Sequence, residues 1–449
     1  MTDHPSENED LAEVLRSPIR TVRGLFDRGE LSPLELTEAA LERIERRNPS
    51  LGALTHVAPE HALEASRAAT ERLAHGETRG PLDGVVVAVK DLVAVEGMPL
   101  EAGSRVLAGN TARRDAAVVA SLRAAGAVVV GKAALDEFAL TTVGPARNPL
   151  DESLSPGGSS GGSASAVRAG MCFAAIGTDT GGSVRVPAYC CAITGLKPTH
   201  GLLPTDGVIP LAPSLDHVGT LARTAEDTAL FLESLLPVRP KGFRPRTPDQ
   251  ASYRIGIPDD LSGYQPAVRE RFTAVVDRAW RHGARISPLR FPDLDEVKAA
   301  HWTILSSELS AYHRHRFGED EDRYDRPMRD AIAAGALVST EQYLDAQRTR
   351  GELRRQVDAL FAGMDLLAVP TMTVEPPCHG QTAIMVDGIA TDPTTAMVRG
   401  TSLFNHTGHP ALSVPPGAGS RGESPCGIQL VAPFFAERTL LDAARAFED

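Results

Sequence analysis

Two glycine-dense runs constrain this chain more than anything else in it: Pro156-Gly157-Gly158-Ser159-Ser160-Gly161-Gly162-Ser163 and Gly177-Thr178-Asp179-Thr180-Gly181-Gly182-Ser183-Val184-Arg185. Glycine loses more backbone entropy on ordering than any other residue. A flexible Gly/Ser linker is the simplest alternative. A linker would not enclose Met171-Cys172-Phe173-Ala174-Ala175-Ile176, which reads as buried core. The runs therefore point to backbone folded tightly around a reacting group, with hydroxyls and amide hydrogens aimed at it.

The chain has 449 residues, with 46 basic and 58 acidic side chains and a net charge of -12. Its length suffices for a sizeable core. The acidic balance argues against direct binding to nucleic acid or to an anionic membrane surface. No apolar run approaches the roughly 18 residues of a membrane span. The polar N-terminus does not resemble a signal peptide. Five cysteines (Cys172, Cys190, Cys191, Cys378 and Cys426) form no CxxC pair. That pattern fits reduced thiols and a cytoplasmic location, with Cys190 and Cys191 as packing.

Helix and strand signals alternate along the chain. Ser32-Pro33-Leu34-Glu35 is a capping box with proline at the first helical position, and Leu36, Ala40 and Ile44 form one apolar face. Helices are predicted over 59–74, 115–125, 162–169, 223–235, 267–282, 395–405 and 439–447, and strands over 85–89, 127–130, 253–257, 284–289, 365–369, 412–414 and 427–431. The β-branched run Val85-Val86-Val87-Ala88-Val89 reads as a strand buried on both faces. Pro237 to Pro248 reads as a surface connection, and 297–363 as mostly helical with a charged, solvated stretch near 319–329. No internal repeat interrupts this order. The expectation is one continuous α/β domain over 1–449.

Lys90 ends the strand at 85–89. Burial would push its amine toward the neutral, basic form, unless the side chain snorkels to solvent. Ser159, Ser160 and Ser183 sit in the glycine runs, where loop or capping serines are also common. The sequence Thr180-Gly181-Gly182-Ser183 can form a nest of amide donors suited to an oxyanion. Asp179 and Arg185 flank it and could fix the loop as an ion pair. A Ser-His-Asp triad would draw on His200, His217, His301, His406 or His409, but no nucleophile elbow singles one out. Nothing in the sequence matches a metal or nucleotide motif, so neither a metal nor another cofactor is expected.

With these residues in view, the chain resembles the amidase signature family. Lys90, Gly157 to Ser163 and Gly177 to Ala188 carry the match, and Lys90, Ser159 and Ser183 follow at intervals of 69 and 24 residues. Gly195-Leu196-Lys197-Pro198-Thr199, Ser214 to Gly219, Val369-Pro370-Thr371, Asn405 and Gly408-His409-Pro410-Ala411 extend it over most of the chain. The resemblance implies a mixed central β-sheet covered by helices on both sides, with a catalytic core at about 80–225 and a variable helical substrate region at about 297–363. It also implies a Ser–cis-Ser–Lys triad. Ser183 is then the nucleophile, Ser159 the bridge behind a cis Gly158–Ser159 bond, and Lys90 the base. The amides of Thr180, Gly181, Gly182 and Ser183 are the oxyanion hole, with Ser160, Asp179 and Arg185 in support.

The implied activity is hydrolysis of a small-molecule amide through an acyl-enzyme, by a monomer or homodimer. The alternative is the catalytic subunit of a tRNA-dependent amidotransferase; a more remote one is an inactive scaffold. Arg350 aligns with that subunit's glutamine-carboxylate arginine, but Val398 aligns where the subunit has an aspartate. The run Asn405-His406-Thr407-Gly408-His409 also replaces an apolar stretch, so stand-alone hydrolysis is the preferred reading. Alignment further nominates Trp302, Tyr312, Arg350, Met397 and His406 as an acyl pocket.

Overall fold

The computed structural model describes residues 7–236, 253–318, 320–386, 388–415 and 427–448. The surface connection expected at 237–248 and Cys426 lie outside them.

The strand predicted from the valine run forms as β2 (Val86–Lys90), with every residue buried. It is flanked by β3 (Val128–Ala133) and β4 (Ala174–Asp179), both parallel to it. A strand covered on both faces and paired on both edges has no polar side, which accounts for its unbroken apolar run. Around this trio the described residues build a mixed sheet of 11 strands. The others are β1 (Leu54–Val57), β5 (Thr194–Lys197), β6 (His217–Ala222), β7 (Arg254–Pro258), β8 (Arg285–Leu289), β9 (Leu366–Pro370), β12 (Ala411–Val414) and β13 (Ile428–Val431). Their order is β1-β3-β2-β4-β6-β5-β12-β13-β9-β7-β8, and β10 (Ile384–Val386) with β11 (Ile389–Thr391) makes a separate hairpin. Helices flank the sheet, so the mixed α/β architecture is as expected.

The capping box at Ser32 and Glu35 starts the helix Pro33–Leu51, with both reciprocal bonds present. Cys190 and Cys191 are buried, as a packing role requires. Four sheet strands have no counterpart in the sequence reading: β1, β5, β6 and, read only as core, β4. β1 and β5 have only four residues, and β4, β5 and β6 each contain a glycine, so their pairing comes from the sheet rather than from local preference. The helix expected at 395–405 is two, Pro393–Val398 and Leu403–Thr407. Between them, Thr401 turns inward and its hydroxyl donates to Gly181 O at 2.6 Å. A tertiary bond takes the place of continued helix.

The parallel trio fixes where chemistry can occur. Lys90 and Asp179 end β2 and β4 on the same edge of the sheet, and both glycine runs lie nearby. Crevices outside the carboxyl ends of parallel strands are the usual ligand sites of such sheets.

Candidate active site

The first glycine run leads into the helix Gly161–Arg168, which packs on β2 and β4. Glycine is needed there for close approach: a Cβ on Gly162 would lie 2.5 Å from backbone atoms of Ala134 and Ala53. The Gly158–Ser159 peptide bond is cis. Ser160 Oγ donates to Thr178 O and accepts from Thr178 N, at 3.2 and 3.3 Å. Ser160 N also donates to Ser183 O at 3.1 Å. Ser160 thus stitches the first run to the second.

Lys90 is fully buried. Its Nζ lies 2.8 Å from Ser159 Oγ and 2.8 Å from Thr178 Oγ1. No carboxylate lies within hydrogen-bonding reach of it among the described residues. Lys132, on the neighbouring strand β3, is equally buried but lies 2.9 Å from Asp91 Oδ1. Burial pulls the Lys90 amine down to about 7, against the more distant negative charges of Asp136, Asp179 and Asp216. Asp136 is itself buried, its Oδ1 has no partner among the described residues, and burial pushes its carboxyl up. Two hydroxyl partners and a dry setting favour the uncharged amine.

The second run is held by a buried ion pair. Asp179 Oδ1 accepts from Arg185 Nη2 at 2.7 Å and from Asn405 Nδ2 at 2.9 Å. Asp179 Oδ2 accepts from Arg185 Nε at 3.0 Å and from Val184 N at 3.1 Å. Burial alone would raise the Asp179 carboxyl, but Arg185's charge and these donors hold it well below the usual range. Arg185 donates further to Thr401 O, Gln429 Oε1 and Asn405 Oδ1, at 2.8, 2.6 and 2.7 Å. Four residues thereby satisfy its planar fork.

Between Asp179 and Arg185 the loop is pinned by side chains on either side. Thr180 Oγ1 donates to Asp216 Oδ1 at 2.6 Å. Asp216 also accepts the amides of Leu211 and Ala212, and burial raises its carboxyl to about 6. Gly182 has φ +147°, and a Cβ there would meet Thr401 Oγ1 at 2.2 Å. The amides of Gly181, Gly182 and Ser183 have no protein partner among the described residues. The same holds for the Ser183 hydroxyl, although Ser183 is only 7% exposed. No histidine hydrogen-bonds it among the described residues. Beside Thr178 opens a cavity of about 230 Å³ lined by Leu92, Ile209, Asp216 and His217.

The residues nominated for the acyl pocket divide. His406 is buried, and its ring meets His301 edge-on with centroids 5.4 Å apart. Trp302 packs against His301 as well, at 5.6 Å. Arg350 donates to His406 O and Ser214 O at 3.0 and 2.7 Å, so two of its nitrogens hold backbone. Met397 lies in an apolar cluster with Val186, Tyr189, Met372 and Val374. Its neighbour Val398 is the one that faces Gly181, 3.7 Å from the Cβ position. Tyr312 packs on His313 and Phe317, further along the helix Leu294–Phe317.

The sequence reading assigns no role to Thr178, Asp216 or Thr401, and considers His301 only as a triad histidine. Thr178 and Asp216 stand inside the motifs quoted above. Thr401 and His301 carry no local signal: each acts on Gly181 across a long stretch of chain.

The amidase family model matches residues 35–441. A glutamyl-tRNA(Gln) amidotransferase subunit from Anaeromyxobacter sp. (strain K) is 37% identical over 463 aligned positions, spanning 93% of this chain and 93% of that protein. The crystal structure of an amidase is 30% identical, covers 96% of this chain and 99% of its own, and superposes with a TM-score of 0.89. A chain from a vestigial protein complex, one that reveals the evolutionary origins of an s-triazine catabolic enzyme, is 32% identical. It covers 96% of this chain and 98% of its own, with a TM-score of 0.87.

Proposed function

The chain belongs to the amidase family, and from that premise we propose that it is a stand-alone hydrolase of a small carboxamide. Enzymes of this kind act on amide C–N bonds. The reading assigns Ser183 as nucleophile, Ser159 as proton bridge and Lys90 as base. The observation that carries it is the pairing of Lys90, buried without an adjacent carboxylate, with the Ser159 hydroxyl at 2.8 Å. Burial lowers the Lys132 amine too, but Asp91 beside it favours the charged form; Lys90 has no such carboxylate and is set up to take a proton.

In the proposed sequence Ser183 Oγ attacks the amide carbonyl, its proton passes to Ser159, and that of Ser159 passes to neutral Lys90. The amides of Gly181, Gly182 and Ser183, free of protein acceptors, receive the developing oxyanion together with Thr180 N. The C–N bond then breaks as the proton returns through Ser159 to the leaving nitrogen, releasing ammonia or an amine. Water, deprotonated by the same relay, attacks the acyl-enzyme and frees the acid. Asp179 and Arg185 hold the loop and take no part in the proton transfers. The reading places the enzyme in a reducing compartment, as a monomer or homodimer.

The experiment is turnover of a panel of aliphatic, aromatic and ureido amides by the wild type and by Ser183→Ala. Loss on the order of 10⁴-fold or more is expected, as for removal of a nucleophile that works as part of a unit. Full activity in the variant would sink the assignment.

The sequence relatives favour a second reading, the glutaminase component of a tRNA-dependent amidotransferase. Against it stand Val398, an apolar side chain beside Gly181, and Arg350, whose Nε and Nη2 are engaged by backbone. Glutamine hydrolysis together with co-purifying partner proteins would support that reading. Turnover of simple amides by the isolated chain, with glutamine left intact, would remove it.

A further inference from the structure

We propose that His301 and His406 form a recognition pair for the acyl portion of the substrate, selecting amides that carry a second uncharged, planar hydrogen-bonding group: a carboxamide or a ureido group. This rests on the amide-hydrolase reading and narrows its substrate class.

His301 stands on the helix Leu294–Phe317 and reaches the oxyanion loop itself. A Cβ on Gly181 would lie 2.8 Å from His301 Nε2, so the imidazole occupies the space that a side chain at 181 would need. His406 comes from the short helix Leu403–Thr407, and both histidines are only 2% exposed. His301 Nδ1 and both ring nitrogens of His406 are buried without a hydrogen-bond partner among the described residues. His301 Nε2 has no protein partner among the described residues either. A buried donor or acceptor left unsatisfied keeps its full desolvation penalty. Two adjacent imidazoles with no protein partner, beside the loop where the carbonyl must sit, call for a ligand that supplies the missing bonds.

The charge state of the pair selects that ligand. Burial holds the His301 ring down to about 4, and burial together with His301 and Arg350 holds His406 well below the ordinary histidine value. Asp179, the carboxylate that acts on His301, is already saturated by Arg185 and Asn405. At neutral pH each ring therefore carries one N–H and one lone pair. The pair offers two donors and two acceptors and no net charge. A carboxylate has acceptors only and would leave both ring lone pairs unpaired. An ammonium has donors only, and an alkyl chain neither. A carboxamide or ureido group presents C=O and N–H₂ in one plane and matches both. Val398 lies beside Gly181 and Trp302 packs on His301, so the neighbours of the pair are apolar.

The test compares kcat/KM of the full chain on three amides of equal length, ending in a methyl, a carboxylate or a carboxamide/ureido group. The wild type is expected to prefer the third by about tenfold or more, because sites built for hydrogen bonds reject analogues that lack them. In His301→Phe and in His406→Phe the ratio of the third to the first substrate is expected to fall about tenfold. His301→Asn keeps a donor and an acceptor and should retain part of the preference. A wild type that prefers the carboxylate, or ratios unchanged in both Phe variants, overturns the proposal while leaving amide hydrolysis intact. Inactivity of the folded wild type on all three overturns the hydrolase reading and this proposal with it.

Discussion

The loop cluster at the ends of β2 and β4 and the helical layer over it, 294–360, meet where Gly181 touches His301, yet they are built by opposite rules. The cluster is backbone-dominated. Its glycines exist because neighbouring backbone and side chains occupy the Cβ positions, and hydrogen bonds of Ser160, Asp179, Arg185, Asp216 and Thr401 hold its loops. The helical layer is side-chain-dominated. It contributes the His301 imidazole, the Trp302 indole and the Arg350 guanidinium from helices that each bury one face. On the proposed reading this division separates chemistry from selectivity, and substitutions in the two regions should fail differently.

The largest effect should come from the cluster. Lys90→Met preserves bulk and removes the amine. A general base contributes about 10²–10⁴-fold, so kcat should fall by that factor on every amide alike, with substrate ratios unchanged. A variant that keeps its rate, or loses it on some amides only, would remove the division between the regions.

Arg185→Met should act on stability as much as on rate. It leaves Asp179 ionised and buried without its partner, at a cost of about 3–5 kcal/mol. Urea denaturation would measure it. Asp179→Asn combined with Arg185→Met should cost less than the two single changes summed, since they share one interaction. Strict additivity would mean that the pair does not hold the loop.

The pH profile sharpens the contrast from the side of the base. A lysine base in general suggests activity rising into alkaline pH. With burial drawing Lys90 down to about 7, the working neutral amine is present above that value and lost as pH falls through it. The rate kcat/KM should therefore drop about tenfold per unit on the acid side of neutrality and level off above. Lys90 and Asp136 influence one another, so the midpoint belongs to the pair. Asp136→Asn removes a charge that favours the ammonium and should move the acid limb to lower pH. A flat profile from pH 5 to 9 in wild type would contradict a lysine base.

The same contrast explains what can be read from the chain. Lys90, Ser159 and Ser183 draw attention because glycine-rich turns and an all-apolar strand surround them, but their joint role is implied only by the resemblance to the amidase signature family. The sheet is legible where valines accumulate, in β2 and β3, and illegible at β5 and β6. There Thr194-Gly195-Leu196-Lys197 and His217-Val218-Gly219-Thr220 have little strand preference and are ordered by their neighbours. The helix break at Arg399–Ser402 lacks a proline; it holds Gly400, a poor helix former, and Thr401, whose hydroxyl donates to Gly181 O, 220 residues away in sequence. His301 escapes a sequence reading for a similar reason. A histidine on a helix has no periodic signature, and only the fold brings it to Gly181.

The smallest effect tests how far the helical layer takes part. Tyr312 lies 11 residues beyond His301 on one helix, which is about 16 Å along its axis. Its ring packs on His313 and Phe317, at centroid distances of 5.2 and 6.1 Å. Tyr312→Leu removes these edge contacts and should cost no more than about 1 kcal/mol. Because the recognition pair sits more than two turns away, the ratio of kcat/KM between carboxamide-ended and methyl-ended amides should stay within about twofold of wild type. A larger shift would extend the acyl pocket along the helix past His301, and selectivity would then belong to the whole layer rather than to His301 and His406 beside the loop.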